Sequence, residues 1–297
     1  MSYDYGSVGQ HPAEKEEDLV SVIIPTHNRA QLLRRAIASV QAQTHSNLKI
    51  IVVDDGSTDE TKEVVEAINE PRLLYLRHKL CRGGSAARNA GLRNSTGKYI
   101  AFLDDDDEWI STKTQEQIDV LKNCDAVLCG KYQEGRETRS PRKVYDINQS
   151  DLCKGKYTSG GTGALMAKSK VFESMQFDES LPRLQDWDLF IRISANYSIR
   201  YMDRGLVRYN PGAHSRITNR IVNQPVSEIG KQLVMLHKHR SFFGEKWFKR
   251  HMARMYLFGV MKRPDRFQHL VYATRNFGVQ NVLWTLSRRL KRKWFGW

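Results

Sequence analysis

Residues 48–57 read LKIIVVDDGS. Leu48–Val53 is a mostly apolar, β-branched run of strand length, and Asp54-Asp55-Gly56 stops it. A run of that length without polar alternation is what a strand buried on both faces looks like, the situation in a parallel sheet covered by helices. The same unit recurs on either side. Upstream, Val20–Ile24 (VSVII) is closed by Pro25. Downstream come Leu73–Leu76, Lys98–Leu103 (KYIAFL) and Ala126–Cys129. Helical stretches fill the gaps. Residues 30–43 place Leu32, Leu33, Ala36, Ile37 and Val40 on one face. Ser57 with Glu60 reads as a capping box opening a helix to about residue 69. Further helices follow Gly83-Gly84 and cover 111–122. This β-α-β-α alternation predicts an α/β fold, a mainly parallel sheet with helices on both faces. Residues 131–160 are charged and rich in Gly and Ser, and predict an excursion of low regularity. Leu165–Ala167 and 199–209 are further strands, 186–196 a helix, and the pattern turns helical from about 225.

In such sheets ligands bind beyond the carboxyl ends of the strands, where the strand order reverses. Three polar clusters fall there: THNR (26–29), DDGS (54–57) and DDDD (104–107). The four adjacent carboxylates of Asp104–Asp107 repel one another, and a hard divalent cation, Mg²⁺ or Mn²⁺, would offset that repulsion. In an extended segment Asp104 and Asp106 point the same way. The alternative is an acidic turn leading into the next helix. In RGGSAARNAG (82–91) the small residues allow close backbone approach. A helix N-terminus favours phosphate, and Arg88 adds a cation suited to a diphosphate. The alternative is a helix packed tightly on the sheet.

The chain has 297 residues, 40% of them hydrophobic and 27% charged, which excludes wholesale disorder. No stretch approaches the ~20 apolar residues of a membrane span. The opening MSYDYGSVGQHPAEKEED reads as a loose leader and not as a signal peptide. Cys81, Cys124, Cys129 and Cys153 lack zinc or disulfide spacing and read as reduced, space-filling thiols. The net charge of +14 lies entirely in residues 231–297, with 16 Lys+Arg and two acids, Glu245 and Asp265. Residues 1–230 hold 31 charges of each sign. The organisation expected is a leader (1–18), a catalytic domain (19–222) and a basic amphipathic helical region (223–297).

The motifs VSVIIPTHNR, VVDDGSTD, GGSAARNAG, YIAFLDDDD and QDWDLFIRI, in this order from Val20 to about Thr218, resemble family 2 glycosyltransferases of the GT-A fold. The resemblance implies transfer of a sugar from a nucleotide-diphosphate donor, with inversion of configuration and a divalent metal. Pro25, Thr26, His27 and Asp55 would surround the nucleotide base. Arg29 and Gly84 belong to the same donor set, Arg88 lies near the diphosphate, and Asp105 near the ribose or donor sugar. Asp104 and Asp106 match the DxD metal motif, and His214 resembles a position that can reach the metal or diphosphate. Asp186 matches the catalytic base, with Gln185 and Trp187 on the acceptor side. Read without the family, Asp186 is a helix N-cap and Trp187 a core residue. Gln185 stands where Glu is usual, His27 where Tyr is frequent, and Cys81 where Asn often precedes the glycine pair. The QxxRW motif of processive synthases is absent, which points to transfer of one sugar per encounter. UDP is the family's commonest donor nucleotide, with dTDP and GDP open.

The tail holds Trp247, Trp284, Trp294 and Trp297 among its cations. That mixture suits a helix lying on an anionic membrane, near a glycan or lipid-linked acceptor on the inner face of the cell membrane. The alternative is packing on the catalytic domain or a partner. A nucleic-acid-binding protein would account for the tail but not for the acidic rim, which repels a polyanion. A catalytically silent glycan-binding relative is opposed by the intact Asp104, Asp106 and Asp186.

Overall fold

The computed structural model describes residues 18–132, 143–158, 160–210 and 224–295. These fall into two compact units, one within residues 1–179 and 189–211, the other within 180–188 and 212–297.

The first unit is built on nine strands among the described residues: β1 (Val20–Thr26), β2 (Leu48–Asp54), β3 (Leu73–Arg77), β4 (Tyr99–Phe102), β5 (Asp107–Trp109), β6 (Ala126–Tyr132), β7 (Val144–Asp146), β8 (Met166–Lys168) and β9 (Ile199–Tyr209). They form one sheet in the order β3-β2-β1-β4-β8-β6-β9-β5, with β7 also paired to β9. The pairs β3-β2, β2-β1 and β1-β4 are parallel, as the apolar runs predict. Every residue of β1 and of β4 is buried, so both faces of the sheet are covered there. The other half is mixed. β8 is antiparallel to both β4 and β6, and β5 and β7 are antiparallel to β9. These three strands have three residues each; β8 matches the strand expected at Leu165–Ala167, while β5 and β7 are too short for a periodic signal and no crossover helix leads into β5.

The helices follow in order: α1 (Ala30–Gln41), α2 (Thr61–Glu66), α3 (Gly84–Arg93), α4 (Lys113–Leu121), α5 (Gln149–Cys153), α6 (Lys170–Glu173) and α7 (Gln185–Asn196). Leu33, Ile37 and Val40 of α1 share one core cluster with Val22, Ile24, Ile50 and Val52. Each such side chain, fully buried, contributes about 1.5–3 kcal/mol. α3 sits so close to the sheet that a Cβ on Gly91 would lie 2.4 Å from Ile23.

Two local expectations are corrected. Ser57 does not cap α2, which begins only at Thr61. The Ser57 N–H donates to Asp54 (2.7 Å), and its hydroxyl accepts the Asn28 N–H (2.9 Å), so both groups serve the rim turn. Asp59 accepts the Thr61 N–H instead (3.2 Å). Asp104–Asp107 is also not extended. The Asp107 N–H returns to the Asp104 carbonyl at 3.0 Å, closing a turn.

The second unit contains the start of α7 and the helices α8 (Val226–Ile229), α9 (Val234–Lys238), α10 (Arg240–Tyr256), α11 (Arg266–Phe277) and α12 (Val279–Phe295). α10 is interrupted at Gly244 (φ 62°). α11 and α12 pack on α10 and on each other, burying Phe248, Met252, Tyr256, Ala273, Phe277 and Val282. Among the described residues no helix is long and apolar enough to cross a membrane.

Candidate active site

The chain runs outward from β1 to β2 to β3 and then returns to place β4 on the other side of β1. The strand order therefore reverses between β1 and β4, and the crevice at their carboxyl ends is where this architecture binds ligands. Side chains from both strands meet there. The Thr26 hydroxyl donates to Asp105 Oδ2 at 2.9 Å, and Arg29 Nη1 donates to Asp105 Oδ1 at 2.9 Å and Asp106 Oδ2 at 3.4 Å. From α3, Arg88 Nη2 donates to Asp104 Oδ1 at 2.6 Å. Gly84 leaves room for that guanidinium, since a Cβ there would lie 2.9 Å from Arg88 Nη1. The two readings of the glycine-rich segment thus hold together: α3 packs tightly on the sheet and also delivers a cation to the acidic turn.

The acidic turn has an uneven charge balance. Burial pushes the Asp105 carboxyl up to about 6, against the pull of Arg29 and Thr26, and the Asp106 charge adds to the rise. Burial also opposes ionisation of Asp104, but the adjacent Arg88 outweighs it and holds that carboxyl below the usual range. Burial of Arg29 is likewise outweighed by Asp105 and Asp106, which raise it.

Asp55, at the end of β2, organises the neighbouring loop. One oxygen accepts from His78 Nδ1 (2.7 Å) and the Arg82 N–H (2.9 Å), the other from the Gly83 N–H (2.6 Å) and Cys81 Sγ (3.2 Å). Despite burial these donors hold its carboxyl below the usual range. Gly56 turns the chain beneath this loop at φ 75°, and a Cβ there would stand 2.9 Å from Leu80 and Cys81 backbone atoms. His27 donates through Nδ1 to the Asp55 carbonyl (2.9 Å), joining the ends of β1 and β2. Pro25 lies within β1, in register with Val53.

The structure thus gathers Thr26, Arg29, Arg88, Asp104, Asp105 and Asp106, and links His27 to Asp55 beside them. Sequence reading missed Thr162, whose hydroxyl donates to Asp104 Oδ1 at 3.0 Å. The signal was the GGTG run at 160–163, where Gly161 (φ 61°) opens a short turn. It also missed His78, which carries no motif. His214 lies outside the described residues. Asp186, Gln185 and Trp187 are described within the second unit. There Asp186 Oδ1 accepts the Trp187 N–H at 2.9 Å, and Gln185 donates to the Leu181 carbonyl at 2.7 Å. Trp187 is 7% exposed and meets Phe243 and His251 edge-on, as a core residue does.

Among the described residues no group of three or more His, Cys, Asp and Glu side chains converges as a ready-made metal site. The donor set present still fits a hard cation. Mg²⁺ and Mn²⁺ usually take one or two carboxylates and complete their shell with water and substrate phosphates, and Asp104 and Asp106 on one turn offer such oxygens.

Comparison with known proteins agrees with this geometry. Residues 21–202 match the profile described as Glycosyl transferase family 2. UDP-Glc:alpha-D-GlcNAc-diphosphoundecaprenol beta-1,3-glucosyltransferase WfaP of Escherichia coli is 38% identical over 105 residues, 35% of this chain and 42% of that protein. The chain thus spans less than half the length of that relative. Among solved structures, the mannosyltransferase PcManGT from Pyrobaculum calidifontis, in complex with GDP-Man and Mn²⁺, superposes with a TM-score of 0.61 at 17% identity. That match covers 96% of this chain and 84% of the other. S. aureus TarS 1-349, in complex with UDP-GlcNAc, gives a TM-score of 0.56 at 17% identity over 92% of each chain. These two likenesses concern the fold, which is that of the GT-A glycosyltransferases. With more than half of its length matched by the family profile, the chain belongs to glycosyl transferase family 2.

Proposed function

We propose that the protein is an inverting, metal-dependent glycosyltransferase. It would move a sugar from a UDP-sugar to a hydroxyl of a glycan carried on a lipid, in the assembly of cell-surface polysaccharide. The observation that carries this reading is the turn Asp104–Asp106 at the strand-order reversal, held by Arg88, Arg29 and Thr26. A nucleotide diphosphate leaves poorly until its charge is neutralised. Asp104 and Asp106 would hold a Mn²⁺ or Mg²⁺ ion, which supplies Lewis-acid stabilisation of the departing diphosphate. Arg88 would add a fixed cation in a bidentate geometry. Asp55 and His27 would face the nucleotide base, and Asp105 the ribose or donor sugar. Asp186 would accept the proton of the acceptor hydroxyl as it attacks the anomeric carbon, so that one displacement inverts the configuration. The names of the E. coli relative and of the TarS complex favour a UDP-sugar donor, and that relative's acceptor is lipid-linked.

The second unit supports a peripheral position on an anionic membrane at the cytoplasmic face. Phe267 (69% exposed) and Val271 follow one another at i, i+4 on α11, and Val279 and Leu283 do so on α12. Exposed Arg266, Arg275 and Arg288 lie on the same helices. Apolar side chains interleaved with cations match an anionic interface.

The test is sugar transfer from UDP-glucose and UDP-GlcNAc to a bacterial lipid extract, with Mn²⁺ or with chelator. Product of inverted configuration that needs the cation, and is lost in Asp106→Asn and Asp186→Asn, is expected. Normal transfer by Asp186→Asn would remove the base assignment. Flotation with vesicles containing anionic lipid tests the membrane reading. Equal binding by the full chain and by Phe267→Ser/Leu283→Ser would refute it.

A further inference from the structure

The start of α7 is held in an unusual way. Leu184, just before the helix, has φ 61°. A residue with a Cβ keeps that left-handed conformation only when its surroundings over-determine it. The Asp188 N–H still closes the first turn, donating to the Leu184 carbonyl at 3.0 Å. Asp188 itself is fully buried. Its Oδ1 accepts from Lys238 Nζ at 2.8 Å and from His239 Nε2 at 2.8 Å. These two donors are neighbours in sequence and stand where α9 ends and α10 begins. His239 has non-helical angles (φ −103°, ψ 24°), which let consecutive residues reach one oxygen. Alongside, Trp187 meets Phe243 at 5.2 Å and His251 at 4.7 Å between ring centroids, both on α10.

A buried carboxylate is tolerated only when paired, and an apolar side chain of similar size would often serve stability as well or better. What an ion cluster adds is direction: it fixes one arrangement of the turn that bears it. Asp186 lies on that turn, two residues before Asp188.

We infer that Lys238 and His239 are positioning residues which, through Asp188, fix the first turn of α7 and hence the orientation of the Asp186 carboxylate. This rests on Asp186 being the base. The geometry requires no contact between the sugar donor and either residue. Their loss should therefore reduce turnover and leave donor binding alone.

The experiment uses the full chain and the variants Lys238→Met, His239→Gln, Lys238→Arg, Asp188→Asn and Asp186→Asn. Three quantities are measured: kcat with UDP-glucose, Mn²⁺ and lipid extract; the Kd for UDP-glucose by calorimetry; and hydrogen exchange of the peptide 184–190 without ligands. Lys238→Met and His239→Gln should each lower kcat by about 10- to 100-fold, the scale of a misplacement of about 1 Å. Their Kd should stay within about 2-fold of the parent, and exchange at 184–188 should quicken. Lys238→Arg should recover most of the turnover. Unchanged exchange in both single variants overturns the inference, as does a donor Kd that weakens in step with kcat. If Asp186→Asn is inactive while Lys238→Met and His239→Gln turn over normally, the positioning role falls and the base assignment stands. If Asp186→Asn is active, both fall. Should Asp188→Asn not fold, the single variants carry the test.

Discussion

Asp105 allows a sharp test of the acidic turn. Its side chain is 6% exposed, accepts from Thr26 and Arg29, and adjoins Asp106. Burial pushes its carboxyl up to about 6, against about 3.9 for an ordinary aspartate. The difference, about 2 pH units at about 1.36 kcal/mol each, amounts to about 3 kcal/mol. The sign follows from proton binding. Between about pH 4 and 6 the native carboxyl keeps a proton that the unfolded chain has lost, so Asp105 contributes stability at low pH that disappears as pH rises through 6. Asp105→Asn does not titrate. Thermal unfolding of both proteins, with chelator and without donor, isolates the effect, because carboxylates shifted downward, such as Asp55 and Asp104, are common to both. Relative to the variant, the parent should gain as pH falls from 7 to 4. At about 2–4 °C per kcal/mol for a domain of this size, the gap in Tm should change by roughly 6–12 °C. Parallel curves, or a variant that gains as pH falls, would refute the account.

Other perturbations have defined outcomes. Gly56→Ala forces a Cβ to 2.9 Å from the Leu80 and Cys81 backbone at φ 75°; it should lower stability by about 1–3 kcal/mol in denaturant unfolding. Lys113 is fully buried, donates to Gln117 at 2.7 Å and lies 3.8 Å over Trp109. Burial lowers its ammonium to about 8, so relative to Lys113→Met the parent should gain up to about 3 kcal/mol as pH rises from 8 to about 10.4. Thr162→Val removes the 3.0 Å hydrogen bond to Asp104. At about 1.5 kcal/mol for a bond to a charged group, donor turnover should fall about 10-fold in a UDP-release assay.

The parallel half of the sheet was legible because β1, β2 and β4 are mostly apolar runs without regular polar alternation, and an unalternating run has one main explanation in this context. β8 was anticipated as a strand at Leu165–Ala167 though not in its antiparallel pairing, whereas β5 and β7 were not, since three residues cannot show a period. In the site, Asp104–Asp106 stood out as charge at a strand end and Arg88 as a cation in the glycine-rich start of a helix. Their pairing did not, because only the tertiary fold shows which arginine meets which carboxylate. Ser57 misled for a related reason. Its spacing to Glu60 satisfies a capping box, yet Asp54 and Asn28 engage it first, through contacts that a local pattern cannot register. Thr162 is 58 residues from Asp104, beyond the reach of any spacing rule.

Arg29 and Arg88 give the acidic turn internal counter-ions. Each carboxylate from Asp104 to Asp106 already meets a guanidinium within 3.4 Å. The turn can therefore close before any cation arrives, unlike small metallo-domains, where loading and folding are one event. Chelator should leave the unfolding temperature of the ligand-free chain unchanged. On the proposed metal-dependent reading, a starved cell would then keep a folded, idle protein that resumes work when divalent ions return, with no need for new synthesis.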